Sequence, residues 1–204
     1  MGLLKKASRG AKLCQRLLGG RRRQFPVLLA LFLCLGLGSG TLQSQESLEY
    51  PVKAAFLLKF GDYVEWPPNA LPAPGAPFAV GVLGKDPFGG NLDLAVKDRS
   101  VQGRPIIVKR FERVEQVKEV QILFIGPVEP EELEGVLVAL STMSVLTVSD
   151  GPVRRGVVIR FVIQENRVHF EIDADAAQRA NLKLSSKLLS LASVVEKTKP
   201  IAGG

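Results

Sequence analysis

From residue 78 to residue 148 this chain alternates short apolar segments with segments of helical pattern, and this alternation restricts the fold more than any other feature. A strand buried on both faces is apolar along most of its length, and a parallel strand needs a long crossover, usually a helix, before the next strand. The pattern therefore predicts an α/β fold with a mostly parallel sheet covered by helices on both faces. The predicted strands are Phe78–Leu83, Pro105–Phe111, Gln121–Ile125 and Ser144–Val148.

Helices are predicted ahead of this region and between its strands. Apolar residues recur at helical spacing over residues 47–64, where Ser47 is a suitable N-cap and Pro51 falls in the first turn. The run Trp66-Pro67-Pro68 ends this helix, because the residue before a proline avoids helical backbone angles. The helices predicted between strands lie around Leu92–Ala95, at Arg113–Lys118 and at Pro130–Leu140.

The pattern changes after residue 156. Two apolar segments, residues 157–163 and 167–172, are separated by only three residues, which predicts an antiparallel hairpin. Two C-terminal helices follow, one capped by Asp173 and ending near Asn181, the other beginning at Ser185 or Ser186 and extending to Val195. Residues 198–204 are predicted to be a frayed tail.

The first 40 residues have the composition of a secretory signal peptide. A basic flank precedes an apolar core of ~13 residues, which is shorter than the ~20 that a membrane-spanning helix needs, and small residues follow up to Gly40. We expect cleavage near Gly40 or Ser44, export to the periplasm, and a single domain over residues 47–197. An uncleaved anchor and a twin-arginine signal at Arg22-Arg23 are the alternatives.

Removing this segment changes the bulk properties of the chain. The chain has 27 basic and 20 acidic residues, but eight of the basic residues and none of the acidic ones lie in residues 1–40. The remaining 19 basic and 20 acidic residues nearly balance, which argues against nucleic acid as a partner. The only two cysteines, Cys14 and Cys34, belong to the same segment, so we expect no disulfide in the exported protein.

Residues that could carry catalysis are scarce in the predicted domain. His169 is the only histidine of the chain, and strand alternation places it on a polar face with Arg167 and Glu171. Without a second histidine or a cysteine there is no zinc set, and Asp173 and Asp175 lack the rest of a calcium loop. We therefore expect no catalytic residue, no metal, no cofactor and no enzymatic activity.

Two other groups are candidate binding residues. Gly84, Lys85 and Asp86 follow the first predicted strand, at the position where open α/β sheets bind ligands, although an ordinary turn explains them as well. Tyr63 and Trp66 lie at the end of the first helix, where aromatic side chains could anchor a partner or cover the edge of the core.

Several segments, in order along the chain, resemble the YfiR-like family of periplasmic proteins. They are Glu49–Phe60, Val64–Pro67, Gly81–Phe88, Ile122–Ile125, Leu146–Asp150, Ile159–Phe161, Phe170–Asp173 and Leu184–Leu189. One segment alone carries little information, but the ordered set spans almost the whole predicted domain. Family members often have a cysteine just before the third strand, where this chain has Val120, so the redox control associated with the family is not expected here.

The resemblance implies a protein that regulates by binding. The expected partner is an inner-membrane signalling protein, either a diguanylate cyclase of cyclic di-GMP and biofilm signalling or a sensor kinase, bound through its periplasmic sensor domain. The family also implies an outer-membrane-associated lipoprotein as a further partner, and it leaves a homodimer open. The alternative from the residues themselves is a periplasmic small-ligand carrier or sensor that uses the loop at Gly84–Asp86.

Overall fold

A computed structural model of the protein describes residues 48–152 and 155–196. The predicted signal peptide, the Ser47 cap and the predicted tail lie outside these residues. The α-helices of the described part are α1 (Glu49–Tyr63), α2 (Gly90–Val96), α3 (Pro130–Leu140), α4 (Ala174–Arg179) and α5 (Ser186–Leu191), with single 3-10 turns at Pro68–Ala70 and Val114–Gln116. None of the helices in these two ranges has the length and apolar character that crossing a membrane would require.

The strands are short and most of them join one sheet. Their bounds are β1 (Val64–Glu65), β2 (Phe78–Leu83), β3 (Ser100–Val101), β4 (Arg104–Phe111), β5 (Ile122–Ile125), β6 (Leu146–Ser149), β7 (Ile159–Gln164), β8 (Arg167–Asp173), β9 (Lys183–Leu184) and β10 (Val194–Glu196). Eight of them form a sheet in the order β10-β8-β7-β6-β5-β2-β4-β3, in which only the β7–β8 and β3–β4 pairs are antiparallel. Strands β1 and β9 form a separate antiparallel pair.

The sheet is buried on both faces, as the continuous apolar strands predicted. In β2, Phe78, Val80 and Val82 pack on the α1 side, whereas Ala79 and Leu83 pack on the α3 side. This division follows from the pleat, which turns successive side chains to opposite faces of the sheet. The predicted fold class, a single α/β domain with a mostly parallel sheet, helices on both faces and a C-terminal hairpin, is confirmed.

The C-terminal hairpin matches the prediction closely. Strands β7 and β8 pair antiparallel, and the two residues between them, Glu165 and Asn166, have φ values of 49° and 60°. Positive φ at both central positions is characteristic of the two-residue turns that suit hairpin twist. The predicted cap of α4 is also present, because the Oδ1 atom of Asp173 accepts a hydrogen bond of 2.8 Å from the backbone N–H of Ala176.

Two local predictions are wrong. Val195 was expected in the last helix but belongs to β10, because the helix ends at Leu191 and the N–H and hydroxyl of Ser193 both donate to the carbonyl of Phe170 at 2.9 Å. These bonds turn the chain alongside β8. The helix expected at Arg113–Lys118 is a single 3-10 turn, where the Oε1 atom of Gln116 accepts from the N–H of Arg113 at 3.1 Å.

Candidate functional site

The carboxyl ends of β5 and β6 open into a crevice beside the first turns of α1. The crevice has a volume of about 720 Å³, and its wall includes Glu49, Tyr50, Lys53, Asp150 and Arg160. Parallel α/β sheets bind ligands and partners at this edge, because the loops that follow the strands gather there. We call this region the carboxyl-edge crevice.

Lys53 is the buried cation at the base of the crevice. Its side chain is 3% exposed, and its Nζ atom lies 2.6 Å from Asp150 Oδ2 and 2.5 Å from Glu49 Oε1. Burial lowers the pKa of Lys53, but the hydrogen bonds to Asp150 and Glu49 outweigh burial and leave the pKa above its ordinary value. The lysine therefore stays charged and holds α1 against the loop that follows β6.

Tyr50 completes this cluster. Its hydroxyl donates to Asp150 Oδ2 at 3.3 Å, its ring lies 4.6 Å from Lys53 Nζ, and its ring edge packs on Phe88 at a centroid distance of 5.5 Å. Burial and the negative charge of Asp150 raise the pKa of Tyr50, so the phenol is neutral at ordinary pH. The hydroxyl is thus a fixed hydrogen-bond donor to Asp150.

A second buried ion pair lies on the hairpin at the side of the crevice. Arg160 and Glu171 face each other across β7 and β8, and both Nε and Nη2 of Arg160 reach the Oε2 atom of Glu171, at 3.2 and 2.5 Å. Their side chains are 13% and 9% exposed. The crevice therefore presents charges whose positions are fixed by pairing within the protein, which suits the recognition of a rigid polar surface.

The described ranges hold no group of three or more His, Cys, Asp or Glu side chains placed to bind a metal ion. What the crevice offers is fixed charge and shape. An arrangement of this kind can hold a partner or a ligand without any bond being made or broken.

The structure places the predicted aromatic pair at the opposite end of α1, with different surroundings for each residue. Trp66 is 6% exposed, packs edge-on against Phe78, and donates from Nε1 to the carbonyl of Gln121 at 3.2 Å. Tyr63 is half-buried, and the ammonium of Lys187 lies 5.3 Å from its ring. Only Tyr63 is accessible to a partner in this conformation, whereas Trp66 fills the edge of the core.

The predicted ligand loop at Gly84–Asp86 is held from within. Asp86 Oδ1 accepts from the N–H groups of Phe88 and Gly89 at 2.7 and 3.3 Å, and its Oδ2 accepts from Arg110 Nε at 2.7 Å. Gly84 has a φ of +77°, which favours glycine, and Lys85 is exposed. Lys85 is thus the residue of this loop that is open to a ligand, and a role in binding stays a prediction.

Arg110 also binds Asp93, at 2.7 Å from Nη2 to Oδ2, so the loop is tied to both α2 and β4. The hydrogen bonds to Asp93 and Asp86 raise the pKa of Arg110, and the hydrogen bond from Arg110 lowers the pKa of Asp93. These contacts describe a loop whose shape is set before any ligand arrives.

Sequence reasoning missed the cluster at Lys53. Asp150 is 97 residues away from it, and no local pattern joins the two. One signal was available: Lys53 lies four residues before Leu57 and seven before Phe60, on the helix face whose members are buried. A lysine on such a face requires a buried partner, and Asp150 directly follows a strand that is buried throughout.

The segments that carry the family resemblance come together here. Lys53, Asp150, Arg160 and Glu171 each lie in one of them, and the structure brings all four to the crevice or its side wall. The fold and the crevice thus define a mixed α/β domain with a prearranged polar edge.

The comparison with protein families agrees with this description. The YfiR/HmsC-like family matches residues 50–193, which is nearly all of the described domain. The protein belongs to the YfiR/HmsC-like family. No curated protein matches the chain.

Proposed function

We propose that this protein is a periplasmic regulatory binding protein that modulates a membrane-bound signalling protein, most directly a diguanylate cyclase, by binding its periplasmic sensor domain. The observation that carries the proposal is the family membership, which extends over residues 50–193 and so includes every strand of the large sheet except β10. The basic and apolar segment before the domain supports export to the periplasm.

The mechanism follows from binding alone. A regulator changes the output of a sensor only if it has different affinities for the active and inactive states of that sensor, and the ratio of the two affinities limits the size of the effect. Rigid surfaces serve this purpose well, because little binding energy is lost in ordering them. The paired charges of the carboxyl-edge crevice and the tied loop at Gly84–Asp86 are prearranged in this sense.

We place the contact with the membrane protein at Tyr63. Tyrosine is enriched at the centres of interfaces, and here Tyr63 is half-buried, with the ammonium of Lys187 5.3 Å from its ring. Below it, the carbonyl of Tyr63 accepts from the N–H of Ser185 at 2.9 Å, which fixes the backbone at this corner. Trp66 supports the corner from the core and is not itself part of the proposed contact.

Site-specific photocrosslinking in the producing cell tests this proposal. A photoreactive phenylalanine analogue at position 63 is expected to capture a membrane protein that carries a signalling output domain, which mass spectrometry identifies. The same analogue at Glu134, an exposed position on α3, is the matched control. Capture of no membrane protein from position 63, or equal capture from both positions, contradicts the proposed contact.

A small-ligand carrier or sensor is the second candidate function. The observation in its favour is that the strand order reverses between β2 and β5, and ligands of open α/β sheets bind beside such a reversal. The two strand ends adjoin there, because the N–H of Gly126 donates to the carbonyl of Leu83 at 2.9 Å. Because Asp86 is engaged by the loop, Lys85 is the side chain whose replacement by alanine tests this candidate in a thermal-shift screen.

A further inference from the structure

A second cavity, a groove, lies at the opposite edge of the sheet from the carboxyl-edge crevice. It lies at the amino ends of β2 and β5, between the proline-rich loop of residues 67–77 and the turn at residues 142–145, and has a volume of about 660 Å³. Its wall includes Leu71, Ala76, Ala79, Ile107, Lys109 and Met143. We call it the amino-edge groove, and its volume is in the range of small-molecule sites, about 300–1,000 Å³.

The floor of the groove is apolar and incompletely covered. Ile107 is 38% exposed, and it lies beyond the part of β4 that pairs with β3, which is limited to Arg104 and Pro105. It lies opposite Ala79 in the parallel register with β2, and the small alanine leaves space above the sheet. Met143 adds a side chain that adapts its shape to different ligands.

The rim of the groove is fixed by one buried side chain. Gln121 is 4% exposed, its Nε2 donates to the carbonyl of Ala70 at 3.1 Å, and its Oε1 accepts from the N–H of Ala79 at 2.9 Å. The backbone carbonyl of the same residue accepts from Trp66 Nε1. The proline-rich loop is therefore tied to β2 and to the core before a ligand binds, which reduces the entropy lost on binding.

One cationic side chain on the groove wall has weak partners. Lys109 Nζ donates to the carbonyls of Lys118 and Glu119 at 3.3 and 3.1 Å, and its closest carboxylate is Glu119 Oε2 at 3.5 Å. The side chain of Glu119 is 90% exposed, so this ion pair contributes little and a carboxylate from a ligand can replace it. The Lys53 ammonium differs, because two close carboxylates already hold it.

We propose that the amino-edge groove binds a small organic anion, an alkyl or aryl carboxylate, with its apolar body on Ala79, Ile107 and Met143 and its carboxylate on Lys109. The positive charge of Lys109 favours a negatively charged ligand, and the apolar floor favours an apolar body in the remainder of that ligand. This inference does not depend on the identity of the membrane partner.

Binding of defined probes tests the proposal. Octanoate and 3-phenylpropionate are titrated into the protein purified from expression of the full-length sequence, and the corresponding alcohols serve as uncharged controls. Trp66 is the only tryptophan of the chain and contacts Gln121 on the groove wall, so its fluorescence reports binding. We expect dissociation constants for the two carboxylates of about 1 mM or below, and about tenfold weaker binding of the alcohols.

Three variants locate the site. Lys109→Met is expected to weaken binding of the carboxylates about tenfold and to leave the affinity for the alcohols unchanged, because only the charged contact is lost. Ala76→Phe, on the proline-rich loop, is expected to fill the groove and abolish binding of both probe types. Lys59→Met removes an exposed lysine on α1, 61% exposed, and is expected to change nothing.

Other results overturn the inference. If neither carboxylate binds at a concentration about tenfold above the expected dissociation constant, the groove is not a ligand site. Equal affinity for acids and alcohols, unaffected by Lys109→Met, refutes recognition of an anion. If a probe still binds the Ala76→Phe variant, its site lies outside the groove. If the parent protein binds no probe and forms a dimer that Ala76→Phe dissociates, the groove is covered by a second copy of the chain and is not a ligand site.

Discussion

The two edges of the central sheet each carry a lysine, and the two lysines differ in how completely carboxylates of the chain pair with them. At the carboxyl edge, Lys53 is buried and receives two carboxylates at 2.6 Å or less from within the chain. At the amino edge, the side chain of Lys109 is 30% exposed, and its nearest carboxylate, that of Glu119, lies 3.5 Å away on a side chain that is 90% exposed. The first arrangement is a structural junction that is complete by itself. The second arrangement leaves the Lys109 ammonium able to bind an anionic group of another molecule.

The largest effect is expected from removing the buried cation. Lys53→Met leaves Asp150 and Glu49 facing each other without their shared partner, and breaking a buried ion pair in this way costs about 3–5 kcal/mol. Urea denaturation measures the loss in free energy of unfolding. Lys59→Met, on the exposed side of the same helix, is the control and should stay within about 0.5 kcal/mol of the parent. Equal small losses for both variants would show that the Lys53 cluster is not a junction.

The next effect concerns the rim of the amino-edge groove. Gln121→Met keeps the side-chain volume but leaves the buried N–H of Ala79 and the carbonyl of Ala70 without their partner, at a cost of about 1–3 kcal/mol. Hydrogen exchange should rise at Ala79, and the fluorescence of Trp66 should change as the loop loosens. Gln178→Met on the exposed face of α4 is the matched control. Unaltered exchange at Ala79 would contradict the assigned role of Gln121.

A third effect depends on pH and belongs to the carboxyl edge alone. The pKa values of Lys53 and Tyr50 are raised above their ordinary values of 10.5 and 10.0, so both groups hold their protons more tightly in the folded state than in the unfolded state. Their contribution to stability is complete below pH 10 and is lost as the pH rises through the raised values. Thermal unfolding from pH 8 to 11.5 should show this decline in the parent and a shallower one in Lys53→Met. The same decline in both proteins would assign it to other groups.

The smallest effect is expected at the loop that follows β2. The Arg110 side chain is 43% exposed, so its pairs with Asp86 and Asp93 are partly screened by solvent and Arg110→Met should cost at most about 1 kcal/mol. The visible change should be local, with faster proteolysis or exchange at residues 85–90. A loss as large as that of Lys53→Met would mean that this exposed network is also a structural junction, and the contrast between paired and exposed charges would fail.

Sequence patterns predicted the parts of the fold whose causes are local. Continuously apolar segments at β2 and β5, alternating with helical segments, predicted a parallel sheet with two buried faces, and the short connection at residues 164–166 predicted the hairpin. The strands that escaped prediction are two or three residues long, and three of the four exist only through distant pairing, as Val64 pairs with Leu184 and Val194 with Glu171. Val195 was placed in a helix because its apolar spacing fits one, and the bonds of Ser193 to Phe170 decide otherwise.

The candidate sites also divide into those set by neighbouring residues, which the sequence predicts, and those set by distant contacts, which it does not. The loop at Gly84–Asp86 was visible because its turn residues are adjacent in sequence. Lys53 and Asp150 were not, because their contact depends on how α1 crosses the sheet. The sequence left open whether Trp66 covers the core or anchors a partner, because an aromatic residue after a helix can point inward or outward, and the acceptor that fixes it, the carbonyl of Gln121, is 55 residues away.

We propose that this protein, a member of the YfiR/HmsC-like family, controls a membrane diguanylate cyclase. The most direct measurement is the cellular level of cyclic di-GMP in the parent strain, in a strain that lacks the protein, and in that strain complemented with the full-length chain. The account predicts a changed level in the deletion strain that the intact chain restores and that a Tyr63→Ala variant, produced in equal amount, restores less completely. An unchanged level of cyclic di-GMP in the deletion strain would contradict the account.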